Sequence, residues 1–305
     1  AEMCIRDSFQ GGALEPLVDP TQLRRPCAAP ASLEALADAT HASDLEHYVA
    51  LDADQGAVHT QRHLAPSTAQ MSMQERATLA WLMMDREIQQ NEAYRGAGST
   101  ASVLLLHSLD VPTAPWYASE YLAVTTVQLG DTRLVLCDAE TGEAIPLTRL
   151  HHPDDPIESD RLSRQGAGVL TDSFGESRFL GTLANTRSFG DTQAKRYGMT
   201  AEPEVQTHIL QGSRFAFIAG FSDGIGDVMT DQELVDECRY ASHPQQAAER
   251  IMKYAEDLGA EDNATILCIP LRGWGAIRGE DRTALQRRDR RLNTDIYRNR
   301  RNLCL

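Results

Sequence analysis

Asp131, Asp223 and Asp262 share one kind of setting. Each sits at a strand boundary in a tight turn: Leu129-Gly130-Asp131-Thr132, Ser222-Asp223-Gly224 and Glu261-Asp262-Asn263. If those strand ends converge, the three make an oxygen-only cluster. Such a donor set suits Mg2+ or Mn2+, which keep several waters when few carboxylates hold them. Two such ions close together lower the pKa of a bridging water and orient it for attack on phosphorus. Carboxylates gathered without a cation repel one another, so close approach would itself argue for metal. The plainer alternative stays open on spacing alone, because turn aspartates commonly bond their own backbone.

The elements that must position these residues are legible around them. Phe215 to Phe221 is an apolar run that reads as a buried strand, stopping at Ser222-Asp223-Gly224, with Asp227 four residues beyond Asp223. Thr230-Asp231-Gln232-Glu233 is a capping box opening a helix that carries Leu234, Val235 and Cys238. Ser242-His243-Pro244-Gln245 opens another, with Ala248, Ile251, Met252, Ala255 and Leu258 inside and Gly259 closing it. The last strand is expected from Ala264 to Pro270.

Upstream, Ser72-Met73-Gln74-Glu75 is a capping box for a helix reaching about Asn91, with Leu79, Leu82, Met83 and Ile88 on one face. Trp81 and the neighbouring methionines are expected in the core. Strands are expected over Ala101 to His107, Tyr121 to Gln128, Arg133 to Cys137 and Ala144 to Leu147, with a hairpin-like turn at Gly130-Asp131. Short turns between successive strands argue for antiparallel sheet. Between His151 and Thr182 the texture turns polar; a short helix starts at Pro156 and the rest reads as a surface excursion, with His151-His152 a solvated pair. From Phe9 to about Ser67 the pattern is weak, with short helices expected over Ser32 to Ala39 and Ser43 to Leu51.

Composition narrows the classes. A chain of 305 residues, 42% hydrophobic and 24% charged, suits a soluble globular protein, and no run is long enough to span a bilayer. Six cysteines without a C-x-x-C pair argue against structural zinc and a disulfide framework, and fit a reducing, intracellular compartment. The net charge of −15 is uneven: Arg272 to Leu305 holds ten arginines against four acidic residues, so that tail carries +6 and the remainder −21. So acidic a body disfavours nucleic acid and suits cations. The tail is either a polar helix or disordered, and its contacts stay open between anionic lipid, an acidic partner and nothing. Glu2 to Ser8 resembles one reading frame of a transposase-type sequencing adapter and is set aside from the fold.

Six motifs in order carry a resemblance: Gly98-Ser99-Thr100; Gly130-Asp131-Thr132-Arg133; Ala184-Asn185-Thr186-Arg187-Ser188-Phe189-Gly190-Asp191; Ala201-Glu202-Pro203; Ser222-Asp223-Gly224-Ile225-Gly226-Asp227; and Asp262-Asn263-Ala264-Thr265. Together, over roughly residues 72 to 272, they resemble the type 2C, metal-dependent protein serine/threonine phosphatases. The wording of Asn185 to Lys195 and of His151-His152-Pro153 is similar to a fungal, mitochondrial branch.

The resemblance implies an α+β fold, an αββα sandwich of two antiparallel sheets flanked by helices. It implies hydrolysis of phosphoserine and phosphothreonine in protein substrates by a water bridging two Mg2+ or Mn2+ ions. Asp223 and Asp262 would belong to that metal pair, and Asp131 and Asp227, with Asp223, to a third, weaker site. Arg187 and Asp191 would brace the cleft wall. A monomer is expected, and a mitochondrial address is admitted although any targeting segment is missing. The expected organisation is adapter-like residues 1–8, a phosphatase domain over 9–271 lacking its first strands, and an arginine-rich tail over 272–305. The family's early Asp-Gly-His-Gly-Gly strand is not matched: Ser8, Phe9 and Gln10 stand where Asp, Gly and His would, before Gly11-Gly12. The chain as written is therefore expected to be inactive or impaired. A catalytically dead relative that binds a partner, and a phosphatase of small molecules, are the alternatives.

Overall fold

The computed structural model describes residues 2–6, 49–50, 71–94, 96–167, 169–171 and 177–303. Within them, two sheets stack face to face. The first has the order β1 (Glu2–Arg6), β13 (Ala264–Pro270), β12 (Phe215–Phe221), β6 (Arg133–Asp138), β7 (Ala144–Pro146). The second has the order β2 (Val49–Ala50), β11 (Glu204–Gln211), β5 (Tyr121–Leu129), β4 (Ala101–Ser108). All neighbours run antiparallel except β2, which lies parallel to β11.

Leu122, Val124 and Leu210 of the second sheet meet Leu134, Leu136, Ile218 and Ile269 of the first, forming the core between them. The other face of the first sheet, with Phe217, Phe221 and Ile266, is covered by helices over Asp231–Cys238 and Pro244–Asp257. Strand β12 is thus buried on both faces, which is why it reads as an unbroken apolar run rather than an alternating one. The α+β sandwich expected from sequence is present.

Helix α1 (Met73–Gln90) starts at the expected capping box, with Ser72 accepting from the Glu75 N–H. Its buried face is only partly the expected one. Leu79, Leu82 and Met83 are exposed, as are Met73 and Met84. Trp81 and Ile88 pack on Leu129, Phe189 and Ala201 as expected. Between them Asp85 is buried, accepting from the Gly190 N–H at 2.8 Å and pairing with Lys195. A carboxylate in the middle of the buried stripe blurred it for a reading based on apolar spacing.

The Gly130-Asp131 turn is also different. It is not a hairpin: β5 and β6 belong to different sheets, so the chain crosses the sandwich here. Gly130 takes φ +104°, and a Cβ on it would lie 2.2 Å from the Thr100 side chain, so only glycine makes the crossing.

The polar stretch after His151 is more than a surface excursion. Helix α2 (Pro156–Arg164), capped by Asp155, precedes the pair β8 (Val169–Thr171) and β9 (Ser177–Phe179). Leu162 and Phe179 form a small core with Ala194 and Met199. β3 (Gly98–Ser99) pairs with β10 (Phe189–Gly190), and a one-turn helix α3 (Thr192–Lys195) follows. Beyond β12 come α4 (Asp223–Gly226), α5 (Asp231–Cys238) and α6 (Pro244–Asp257).

Glu2–Arg6, set aside above as adapter-like, pairs with β13 over its whole length as the outermost described strand of the first sheet. The helix expected over residues 32–39 and the Gln10-Gly11-Gly12 echo lie outside the described residues. Val49–Ala50, at the end of the other expected helix, is strand.

The arginine-rich end is a helix, α7 (Ala284–Leu303), and its first half is docked rather than free. Arg287 is buried against Asp281 at 2.8 Å and Glu237 at 3.1 Å. Arg290 pairs with Glu233 at 2.7 Å, and Arg291 reaches Glu237 and stacks over Tyr254. The docked half of the tail is thus held by Asp281 and by carboxylates of the protein's own α5. No helix among the described residues is long and apolar enough to cross a membrane.

Candidate metal centre

The ladder of the first sheet delivers the carboxylates to one end of the sandwich. Phe221 is registered opposite both Arg133 of β6 and Ile266 of β13. Asp223 leaves β12 two residues after Phe221, Asp131 enters β6 two residues before Arg133, and Asp262 precedes β13. Ser222 ties the β12 and β13 ends together: its N–H donates to Thr265 O at 3.1 Å and its Oγ accepts from the Thr265 N–H at 3.0 Å. Gly224 allows the approach, since a Cβ there would sit 2.3 Å from the Asn263 carbonyl oxygen.

Asp223 feels the other three aspartates. Burial, together with the negative charges of Asp131, Asp262 and Asp227, pushes the Asp223 carboxyl above the usual aspartate range. Asp131 goes the other way. Burial opposes its charge, but the side chains of His152 and Asn185 outweigh that and hold its pKa low. His152 Nε2 lies 3.8 Å from Asp131 Oδ2, and Asp131, with Asp154 and Asp227, raises the His152 pKa in return.

This donor set fits a hard cation chemically: carboxylate oxygens only, mutually repelling, at a solvent-accessible edge. The fit is open rather than closed. Among the described residues no three His, Cys, Asp or Glu groups approach closely enough to form a ready cage. Asp227 also borders a cleft of about 570 Å3 that Arg133, Asp231 and Arg290 help to line.

His151 corrects the expectation of a solvated pair. It is 1% exposed. Its Nδ1 accepts from the Gly130 N–H at 2.9 Å, which places the ring proton on Nε2, 3.4 Å from Glu204 Oε2. Burial keeps this imidazole's pKa low. Glu204 is half-buried, yet hydrogen bonds from His151 and Arg149 hold it down at about 2. The His151 carbonyl accepts from the Thr186 N–H and hydroxyl, so this one residue joins the Asp131 crossing to the Asn185–Arg187 segment.

Arg187 and Asp191 are both engaged in structure. Arg187 donates to buried Glu158 at 3.0 Å and to the Glu202 carbonyl. Asp191 accepts from Ser188 Oγ at 2.6 Å, and its carboxylate lies against Gly98, where a Cβ would come within 2.0 Å. With Asn185, Asp191 borders a second depression of about 210 Å3. Sequence reading overlooked His152, Asn185 and Glu158. Asn185 was visible only as part of a family motif, and His152 and Glu158 carry no local signal of their partners.

The profile of the protein phosphatase 2C family matches residues 18–264. The chain belongs to that family. The match starts well before residue 72, where the six motifs begin. Relatives in the protein phosphatase 2C family include Protein phosphatase 2C homolog 4 of Schizosaccharomyces pombe, 44% identical over 161 residues, covering 52% of this chain and 41% of that protein. Protein phosphatase 1K, mitochondrial, of Xenopus laevis is 32% identical over 178 residues, covering 58% of this chain and 44% of that protein. The chain thus spans less than half the length of these two relatives. A crystal structure of a phosphatase from a pathogenic strain of Toxoplasma gondii superposes with a TM-score of 0.51 at 22% identity, covering 64% of this chain and 74% of that one. That likeness establishes the protein phosphatase 2C fold.

Proposed function

We propose that the protein is a Mg2+- or Mn2+-dependent phosphatase of phosphoserine and phosphothreonine in proteins. The observation that carries this is the coupled carboxylate group of Asp131, Asp223, Asp227 and Asp262 at one end of a protein phosphatase 2C sandwich. Asp223 and Asp262 would hold the principal pair of ions, and Asp131 and Asp227 a weaker third. When bound, the ions would supply a water activated for attack on phosphorus and charge to stabilise the phosphoryl oxygens.

The chain's own residues do the positioning. The β12–β13 ties keep Asp223 beside Asp262, the Gly130 crossing delivers Asp131, and the Arg187–Glu158 pair fastens the 183–191 segment to α2 at the cleft wall. The name of the mitochondrial relative supports a mitochondrial address, and a monomer is the expected state.

The test is hydrolysis of a phosphothreonine peptide by the protein with Mn2+ and with excess chelator. Turnover that survives excess chelator would sink the metal-dependent reading. A protein that is inert with metal but retains the fold would favour a binding role instead.

A further inference from the structure

Helix α7 docks with its charges inward. A surface helix ordinarily buries its apolar stripe and leaves its charges in water. Here Arg287 is buried against Asp281 and Glu237, while Arg290 pairs with Glu233 and Arg291 with Glu237. The leucines face away: Leu285 is 77% exposed and Leu292 52%. Gln286, Arg288, Asp289 and Asn293 are exposed with them. At the α-helical repeat, positions 287, 290 and 291 fall on one side of α7, and positions 285, 289 and 292 on the other.

That outward line continues along the helix. Positions 285, 289, 292, 296, 299 and 303 follow one another at intervals of 4, 3, 4, 3 and 4, the seam spacing of a coiled coil. They carry Leu, Asp, Leu, Ile, Asn and Leu. The order is palindromic in character about residue 294: apolar, polar, apolar, then apolar, polar, apolar.

Two such helices laid antiparallel about that midpoint match layer by layer. Position 285 comes level with 303 of the other copy, and 292 with 296, so every apolar position meets an apolar one. Asp289 comes level with Asn299, whose amide can donate to a carboxylate. A parallel pair would instead set Asp289 against itself. A polar layer of this kind fixes orientation and register.

Docking removes the main obstacle to such a pairing. α7 is arginine-rich, but Arg287, Arg290 and Arg291 are neutralised by the body's own carboxylates on the side away from the seam. The two bodies would stand on the outer sides of the helix pair, clear of each other. A bilayer answers the same face less well. It would take Asp289 and Asn299 out of water without partners, and anionic headgroups would meet a strongly acidic body.

We propose that the outward face of α7 is a self-association surface, through which two copies of the chain pair by antiparallel α7 helices about a two-fold axis near residue 294. The contact is isologous, so it closes at the dimer. A seam along one helix of about 30 Å is small for a protein interface, so association is weak and concentration-dependent. The monomer expected above is its dilute form.

The experiment is sedimentation equilibrium of the 305-residue chain over a concentration series up to its solubility limit. It uses wild type, L292E, Q286E, N299D and the double variant D289N/N299D, each also melted when dilute. L292E is expected to weaken association about tenfold or more, since it puts a charge into the seam. Q286E, exposed but off the line, is expected to leave association unchanged. N299D sets two carboxylates in one layer and is expected to weaken association about tenfold. Adding D289N should restore it, because amide and carboxylate have only changed places. If L292E lowers the dilute melting temperature, the rescue of N299D by D289N decides alone. A wild type that stays monomeric throughout overturns the proposal. So does association that L292E leaves intact, or an N299D loss that D289N fails to rescue. A monomeric wild type that floats with phosphatidylcholine–phosphatidylglycerol vesicles, and loses this in L292E, would overturn it in favour of a lipid surface.

Discussion

Arg187 and Glu158 meet inside the protein, Nε to Oε1 at 3.0 Å, from positions 29 residues apart. Glu158 is 0% exposed, and it also accepts from Arg161 at 2.8 Å and from the Thr186 hydroxyl at 2.6 Å. Burial alone would raise its pKa, but these partners, Arg187 foremost, hold it at about 2 against an ordinary value of 4.5. The folded pKa is depressed, so the stabilisation is present above the ordinary value and is lost as pH falls toward the folded one. At neutral pH it is on the order of 3 kcal/mol. The gap between wild type and E158Q in urea unfolding should therefore be wide at neutral pH and close progressively below about pH 4.5. A gap of the same size at both ends of that range would contradict it.

The docking of α7 predicts a graded mutational series. Arg287 is buried among Asp281, Glu237 and Asp236, and removing it strands buried carboxylates. R287A should cost about 3–5 kcal/mol and be little affected by salt. Arg291 is 42% exposed, so R291A should cost about 1 kcal/mol or less, shrinking further in high salt. Calorimetric melts at low and high NaCl separate the two.

Gly224→Ala tests the contact that brings Asp223 beside Asp262. The new methyl would collide with the Asn263 carbonyl at 2.3 Å, which is backbone and cannot swing aside. The expected result is a loss of about 1–3 kcal/mol and a disproportionate loss of Mn2+ binding. Retained Mn2+ affinity in a destabilised variant would show that the two strand ends need not touch.

Asp223→Asn should separate stability from metal binding. Burial and three neighbouring carboxylates disfavour the charge on Asp223 in the fold. Neutralising it should raise the melting temperature in chelator. On the proposed metal reading, Mn2+ should stabilise wild type by an amount that grows with free metal, and the same change should abolish that stabilisation. Thermal melts across a Mn2+ series, with and without chelator, give both readouts.

How much of this was legible depended on how local each cause is. The capping boxes at Ser72–Glu75 and Thr230–Glu233 are written within four residues, and both formed as expected. The turn chemistry of Ser222-Asp223-Gly224 is equally local. Gly130-Asp131 was placed as a turn but misread as a hairpin, because the residues that bend a chain within a sheet also bend it between sheets. The burial of His151 depends on Glu204, 53 residues away, and no window of sequence contains both. The stripe of α1 was misjudged because it contains Asp85, whose partners Gly190 and Lys195 come from another part of the chain.

The register irregularity between β12 and β6 falls between Phe215 and Phe217, at the end of the ladder away from Asp223. From Phe217 to Phe221 the pairing with β6 runs without a break. The sheet therefore has a forgiving end and an unforgiving one. Length changes near residues 139–143 or 212–214 can be absorbed where the ladder already slips. A single residue inserted between Arg133 and Cys137 would instead slide Asp131 about 3.3 Å along β12 and turn it to the opposite face. Homologous chains should accordingly vary in loop length at the first end and keep an invariant residue count at the second.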